Sequence, residues 1–320
     1  MKYKFGLLKY STNNLGDEIQ SIAARQFLPK VDMYLDRDSL NKIKSKEPIK
    51  VILNGWFLQK PENWPPSPVI KPLFISFHIT QNAIEKLTSP MSIEYFKKHE
   101  PVGCRDYYTL KILKDKGVNA YFSGCLTLAL KKPQVEKHIN KILIVDIEEE
   151  VLKFLPREIK ERAKFLSHYL SYPIDEKAVR IFKKFSNRLY FLLKRMKINS
   201  LLRKPVDFFY SMKNFSAKFK MAEEILKEYA GSSLVITSRL HCALPCVAFG
   251  TPVIFVPKNP YDPRLKGYSE YLKIYSIDEF KKIDWIKSDF NLSPQQKKKI
   301  EDLKTQLIQR CLQFIEQDET

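Results

Sequence analysis

Arg239 and His241 stand two residues apart, where the apolar run Val235-Ile236 passes through Thr237-Ser238 into a short apolar stretch ending at Gly250. A guanidinium presents a rigid fork of donors to a carboxylate or phosphate. An imidazole exchanges a proton near neutral pH. A strand-to-helix join adds the free N–H groups of a helix start. The segment therefore suits an anion that also gains or loses a proton, with Ser238 supplying a hydroxyl. Residues two apart diverge on a regular helix, so both serve one ligand only if the turn is irregular or the ligand extended. The ring of Pro245 presses on the carbonyl of His241, which predicts a local distortion there. The same pattern also fits a surface ion pair for Arg239 and a hydrogen-bonded structural His241.

A second constellation is Asn13-Asn14-Leu15-Gly16-Asp17-Glu18-Ile19-Gln20. It joins an apolar strand to a helix, with Gly16 allowing a tight turn and Asp17 able to cap the helix. Strand ends of this kind are where α/β folds bind ligands. Acids in a first helical turn are also expected for dipole reasons alone. Arg105, in Cys104-Arg105-Asp106, occupies another strand-to-helix join, where it either reaches a cleft or pairs with Asp106. His168, in Ser167-His168-Tyr169, ends an apolar run and reads first as a buried, satisfied histidine. The cysteines Cys104, Cys125, Cys242, Cys246 and Cys311 are odd in number and lie in apolar segments, as buried free thiols do. Cys242 and Cys246 share a helix face but have no further ligand at suitable spacing, so no metal site is expected.

These segments resemble the polysaccharide pyruvyl transferase family. Its N-terminal element, Asn-x-Gly-Asp-Glu/Asp, corresponds to Asn14–Glu18. Its C-terminal element, Arg-x-His followed by Gly-x-Pro-Val, corresponds to Arg239, His241, Gly250, Pro252 and Val253. Between them, Arg105-Asp106 with Thr109, Leu110 and Leu113 resembles the family's Arg-Asp/Glu helix start, and Gly117-Val118 the turn after it. The order is kept from about Lys4 to Val256. Two departures stand out. Ser123-Gly124-Cys125-Leu126 replaces an Asp-Pro pair, and a glycine-rich turn shrinks to Asn54-Gly55-Trp56; both are expected near the cleft.

The resemblance implies a transferase that joins the pyruvyl unit of phosphoenolpyruvate, its co-substrate, to two hydroxyls of a sugar as a ketal. No other cofactor and no metal is implied. Arg239 would anchor the donor, and His241 would anchor it or move the proton. Arg105, Ser238 and His168 are further donor-side candidates, and Asn14, Gly16 and Asp17 would face the acceptor. The runner-up on the same scaffold is a glycosyltransferase, with Arg239 and His241 holding the diphosphate of a nucleotide sugar. A third reading is a catalytically dead binding or scaffold protein at a membrane.

The elements that must position these residues alternate in type. Strands are expected at Tyr3–Leu8, Val51–Asn54, Leu73–His78, Val102–Cys104 and Ala120–Phe122, with helices near Asp17–Phe27, Ile93–Lys98 and Asp106–Lys116. That alternation points to a parallel, Rossmann-like sheet. The polar segment Lys131–Lys141 then precedes a second set: strands at Ile142–Val145, Lys164–Tyr169, Leu234–Ile236 and Val253–Val256, and a helix near Pro156–Ala163. The expected fold is α/β, two Rossmann-like domains facing across a cleft as in the glycosyltransferase-B architecture. They would span 1–134 (acceptor side) and 135–285 (donor side). Residues 286–320 would form a helix packing back on the first domain, because Ile300, Leu303, Leu307, Ile308, Cys311, Leu312 and Ile315 recur at steps of three and four.

Length and charge set outer limits. A chain of 320 residues with 44% apolar content can build two cored domains. The net charge of +19, from 55 Lys+Arg against 36 Asp+Glu, favours anionic partners without choosing among them. No zinc-ligand spacing or RNA-binding signature is present, so nucleic acid is not expected. The stretch Lys177–Lys220 carries thirteen Lys/Arg against the single acid Asp207, interleaved with aromatics such as Phe182, Phe185 and Tyr190. It reads either as a contact to anionic membrane or a lipid-linked acceptor, or as a solvated basic face whose aromatics fill a core. The N-terminal apolar run is too short for a signal peptide, and no run reaches the roughly 18 residues of a membrane span. The expected location is the cytoplasm, free or on the inner membrane face.

Overall fold

The computed structural model describes residues 3–169 and 215–317. Most of the basic stretch 177–220, and with it the membrane reading, lies outside the described residues. At its described end Lys218 and Phe219 are buried, while Ser216 and Lys220 are exposed.

The first half runs β1 (Lys4–Lys9), α1 (Leu15–Arg25), β2 (Met33–Asp36), β3 (Ile49–Phe57), β4 (Ile70–Ile79), α2 (Ile84–Leu87), α3 (Pro90–Lys98), β5 (Val102–Cys104), α4 (Tyr107–Asp115) and β6 (Ala120–Phe122). The strands make one parallel sheet in the order β2-β1-β3-β4-β5-β6. The edge strand β2 was not expected; its sequence Met33-Tyr34-Leu35-Asp36 ends in an acid, is only partly buried and offers no continuous apolar run. The second half runs β7 (Ile142–Val145), α5 (Glu149–Leu152), α6 (Arg157–Arg162), β8 (Ala163–Leu166), α7 (Phe215–Ala230), β9 (Leu234–Thr237), α8 (Leu240–Phe249), β10 (Val253–Phe255), α9 (Ile277–Lys281) and α10 (Pro294–Glu316). Its sheet is parallel in the order β10-β9-β7-β8. Fully buried parallel strands read as continuous apolar runs, as in Ile142–Val145 and Leu234–Thr237, all of whose residues are buried.

Each sheet reverses direction once, between β1 and β3 in the first and between β7 and β9 in the second. At such a point the neighbouring connections part to opposite faces and leave a crevice beyond the strand ends. Asn14 and Asp17 follow β1, Trp56 lies at the end of β3, Asp146 follows β7 and Arg239 follows β9.

One apolar cluster joins the two halves. It includes Ile19 and Ala23 of α1, Leu126 and Leu128 of a buried 3-10 turn, Phe219 and Leu226 of α7, Cys242 and Leu244 of α8, and Leu303 and Leu307 of α10. Burying each large aliphatic side chain contributes about 2 kcal/mol. Polar ties cross the same seam. Lys218 on α7 donates to the carbonyls of Tyr10 (2.9 Å) and Thr12 (2.6 Å) and pairs with Glu18 at 2.6 Å, and Arg25 pairs with Glu223. The helix α10 starts at a Ser293/Gln296 capping box and lies against β4 and the Leu126–Ala129 turn. Lys50 on β3 donates to its Phe314 and Ile315 carbonyls at 2.9 and 3.1 Å. Its buried stripe is Ile300, Leu303, Leu307 and Cys311, while Leu312 is exposed.

Candidate active site

Beyond the carboxyl ends of both sheets lies a cavity of about 480 Å3. Seven of the residues singled out in the sequence line it: Asn14, Asp17, Arg105, His168, Ser238, Arg239 and His241. They come from both halves of the chain.

Arg239 and His241 converge because only one of them is helical. Arg239 is the N-cap of α8, extended at φ −103° and ψ 123°, while His241 lies in the first turn. The expected distortion at Pro245 is absent: α8 runs unbroken from Leu240 to Phe249 and closes at Gly250 with φ +67°. Thr237 fixes the junction, accepting from the Arg239 N–H and donating to the Val145 carbonyl, both at 2.9 Å. The Arg239 Nε donates to Asp146 Oδ2 at 3.1 Å, and the guanidinium lies 4.2 Å from the Tyr169 ring centre. Asp146 also accepts from Ser167 Oγ and from the His168 N–H. Beside this group, the Ser238 hydroxyl is buried and has no hydrogen-bond partner among the described residues, so it is available to a ligand.

Arg105 does not turn to Asp106; the nearest approach of that ion pair is 3.9 Å. Its Nη1 donates to Gln20 Oε1 at 3.1 Å and lies 3.5 Å from His241 Nε2. Since arginine only donates, His241 accepts at Nε2 and carries its proton on Nδ1. Burial and then the Arg105 charge hold the His241 imidazole well below its ordinary pKa, so it is neutral at pH 7. His168 is also neutral: burial pushes it down to about 4. Its Nε2 lies 2.5 Å from the Tyr229 hydroxyl, and its carbonyl accepts from the Leu15 N–H at 2.8 Å. The sequence reading of a satisfied histidine and its candidacy for the cleft thus describe one residue.

On the opposite wall, Asn14 rather than Asp17 caps α1, accepting from the Gly16 N–H at 3.1 Å. This frees Asp17 for the cavity wall, where it accepts from Thr12 Oγ1 at 2.5 Å and Trp56 Nε1 at 3.0 Å. The other side of the Trp56 ring carries the Arg37 guanidinium at 3.9 Å. Gly16 does not line the cavity. It allows close approach instead, since a Cβ there would lie 3.3 Å from His241 Nδ1 and 3.4 Å from His168 Nδ1.

Six polar lining residues escaped the sequence reading: His78, Thr80, Lys258, Asn259, Asp262 and Arg264. His78 is embedded in the apolar run of β4. Thr80 directly follows β4, and the other four lie in a proline-rich loop after β10, where Arg264 grips Asp262 through Nε at 2.9 Å and holds its carboxyl below the ordinary range. Of the two departures from the family pattern, Trp56 does reach the cavity. Residues 123–126 do not; Ser123 bonds to the backbone of Ser76 and Cys104, and Gly124 packs against Leu303. Among the described residues, no group of three or more His, Cys, Asp or Glu side chains is placed to hold a metal, and no helix is long and apolar enough to cross a membrane.

Among solved structures, the chain is similar to a functionally uncharacterised protein of Klebsiella pneumoniae subsp. pneumoniae. That match has 14% identity, TM-score 0.44, and covers 86% of this chain and 92% of that one. It is also similar to the Methanocaldococcus jannaschii UDP-GlcNAc 2-epimerase (9% identity, TM-score 0.38, 94% and 99% covered). A third match is S. aureus MnaA with UDP (11% identity, TM-score 0.39, 98% and 91% covered). No curated protein matches the chain. Residues 14–260 match the family model of polysaccharide pyruvyl transferases; the chain belongs to that family and is a transferase.

Proposed function

We propose that this cavity joins the pyruvyl unit of phosphoenolpyruvate to two hydroxyls of a saccharide as a ketal, with release of phosphate, during surface polysaccharide synthesis. The observation that supports this reading is the charge of the wall. Arg105, Arg239, Lys258 and Arg264 meet there against Asp17 and Asp262, a surplus suited to a small donor bearing both a carboxylate and a phosphate. Arg239 anchors one anionic group with the free Ser238 hydroxyl beside it, and Arg105 faces the other. His168 forms the floor between them.

The chemistry needs one proton placed on the methylene carbon of the donor as the first hydroxyl attacks the neighbouring carbon. The phosphate then leaves with its electron pair, the second hydroxyl adds to the same carbon, and two hydroxyl protons are lost in all. One ends on the new methyl group and one on phosphate. Burial and the Arg105 charge keep His241 neutral at pH 7; the negative charge of an arriving donor raises its proton affinity and prepares it to supply that first proton. Asn14, Asp17 and Trp56 form the acceptor wall, with the sugar free or lipid-linked.

Thermal unfolding with phosphoenolpyruvate and, separately, with a panel of nucleotide sugars tests the reading. Stabilisation by phosphoenolpyruvate is expected. Stabilisation by a nucleotide sugar alone would replace pyruvyl transfer with glycosyl transfer.

A further inference from the structure

His78 is placed as a base rather than as a core residue. It is only 4% exposed at the end of β4, yet it borders two cavities. One is the donor cavity. The other, about 460 Å3, shares His78, Thr80, Asn259, Asp262 and Arg264 with the first and adds Tyr108. The ring stands at their junction.

Its orientation is fixed from behind. His78 Nδ1 lies 2.6 Å from Asp106 Oδ2 and 3.1 Å from Thr109 Oγ1. The carboxylate only accepts, so Nδ1 carries the proton and Nε2 keeps its lone pair. Asp106 spends its other oxygen, Oδ1, on the Thr109 N–H at 2.8 Å, capping α4. Burial alone would raise the Asp106 pKa, but the His78 hydrogen bond and the His78 and Arg105 charges bring it below the ordinary range. Burial and the Arg105 charge lower that of His78. At pH 7 the pair is a neutral imidazole backed by a carboxylate, and among the described residues Nε2 has no partner. His241 contrasts with it, since its Nε2 is occupied by a guanidinium.

We infer that His78, oriented by Asp106, is the base that takes the proton of the attacking acceptor hydroxyl, and that the acceptor saccharide, held against Asn14, Asp17 and Trp56, extends past His78 into the second cavity. The O–H bond breaks as the oxygen bonds to the donor carbon; the proton passes to Nε2, and the imidazolium is held by Asp106 until it gives that proton to the departing phosphate. Asp106 is the positioning residue. The inference rests on the transfer reading, although a base for an acceptor hydroxyl is needed whether the donor is phosphoenolpyruvate or a nucleotide sugar.

The test has two independent arms. In the first, the intact protein is treated with diethyl pyrocarbonate, and modification of each histidine-containing peptide is followed by mass spectrometry. His78 is expected to react, and Asp106→Asn, which keeps an oxygen to cap α4, is expected to slow its modification about tenfold. An inert His78, or a rate indifferent to Asp106→Asn, overturns the inference. In the second, phosphate release from phosphoenolpyruvate is measured with a panel of 4-nitrophenyl glycosides. His78→Ala is expected to lose about 100-fold or more in turnover while keeping donor-induced thermal stabilisation, and added imidazole restores part of the rate. Undiminished turnover by His78→Ala overturns the inference. If phosphoenolpyruvate does not stabilise the wild type while His78 reactivity still depends on Asp106, the donor assignment fails and the base assignment stands.

Discussion

Arg105 follows β5 of the first sheet and His241 lies in the first turn of α8, after β9 of the second, and the guanidinium of one points at the Nε2 of the other across 3.5 Å. The two elements of the family pattern are thereby one electrostatic unit. Replacing Arg105 with Met removes a cation from the cavity wall and from beside the imidazole. Donor affinity is expected to fall about 10- to 100-fold, the value of a charge-assisted contact. The His241 pKa should rise toward its ordinary value, as read by NMR of the ring protons. An unchanged His241 titration would break this coupling.

Asp146 holds Arg239 at Nε and leaves the remaining donors of the fork to the cavity. Asp146→Asn keeps the size but loses the charge. Weaker phosphoenolpyruvate binding, by about tenfold, is expected in calorimetry with little change in thermal stability. Equal binding would mean that Arg239 does not depend on this support.

His168 links stability to pH. Its folded pKa is about 4 against an ordinary 6.5, so between these values the unfolded chain binds a proton that the folded chain refuses. Stability is therefore complete above about pH 6.5 and declines as the pH falls toward 4, by about 3 kcal/mol from this residue. Urea unfolding at pH 7 and pH 5 should show the decline, and His168→Gln should flatten it. His241 acts in the same direction, so the slope shrinks without vanishing.

Lys218 supports the seam between α1 and α7. Removing its ammonium strands Glu18 and two backbone carbonyls in a buried setting. Lys218→Ala is expected to cost about 3–5 kcal/mol, measured by chemical denaturation. A loss below about 1 kcal/mol, the worth of an exposed pair, would contradict its burial.

Gly55 acts on the site at one remove. Its φ is +95°, and a Cβ would meet Gln20 Oε1 at 2.9 Å, the same oxygen that holds Arg105. Gly55→Ala should therefore weaken donor binding as well as stability. If the variant is merely less stable and binds phosphoenolpyruvate normally at low temperature, the Gln20 relay is not what Gly55 protects.

The parts of this molecule that could be read from the sequence are those whose partners are close along the chain. Arg239 and His241 share one junction, and Asn14, Gly16 and Asp17 share another, so local spacing exposed both. His78 could not be found this way: it looks like one more residue of Leu73–Ile79, and Asp106, which gives it meaning, lies 28 positions on. Asp262 and Arg264 looked like loop punctuation among prolines. The cap falls to Asn14 instead of Asp17 because the Asn14 side chain reaches the Gly16 N–H, a choice between near neighbours that residue type alone does not resolve. Strand β2 has only four residues, and its pairing with β1 defines it more than its own composition does.

The Leu15 N–H bonds to the His168 carbonyl, and Asn14 bridges to Tyr169, so the two lobes are already stitched at the floor of the catalytic chamber. An enzyme built this way is expected to load past the Pro257–Arg264 loop, whose residues line the cavity, rather than by opening like a jaw. Its radius of gyration in solution scattering should stay constant as phosphoenolpyruvate saturates it, and turnover should respond to changes in that rim more than to any hinge.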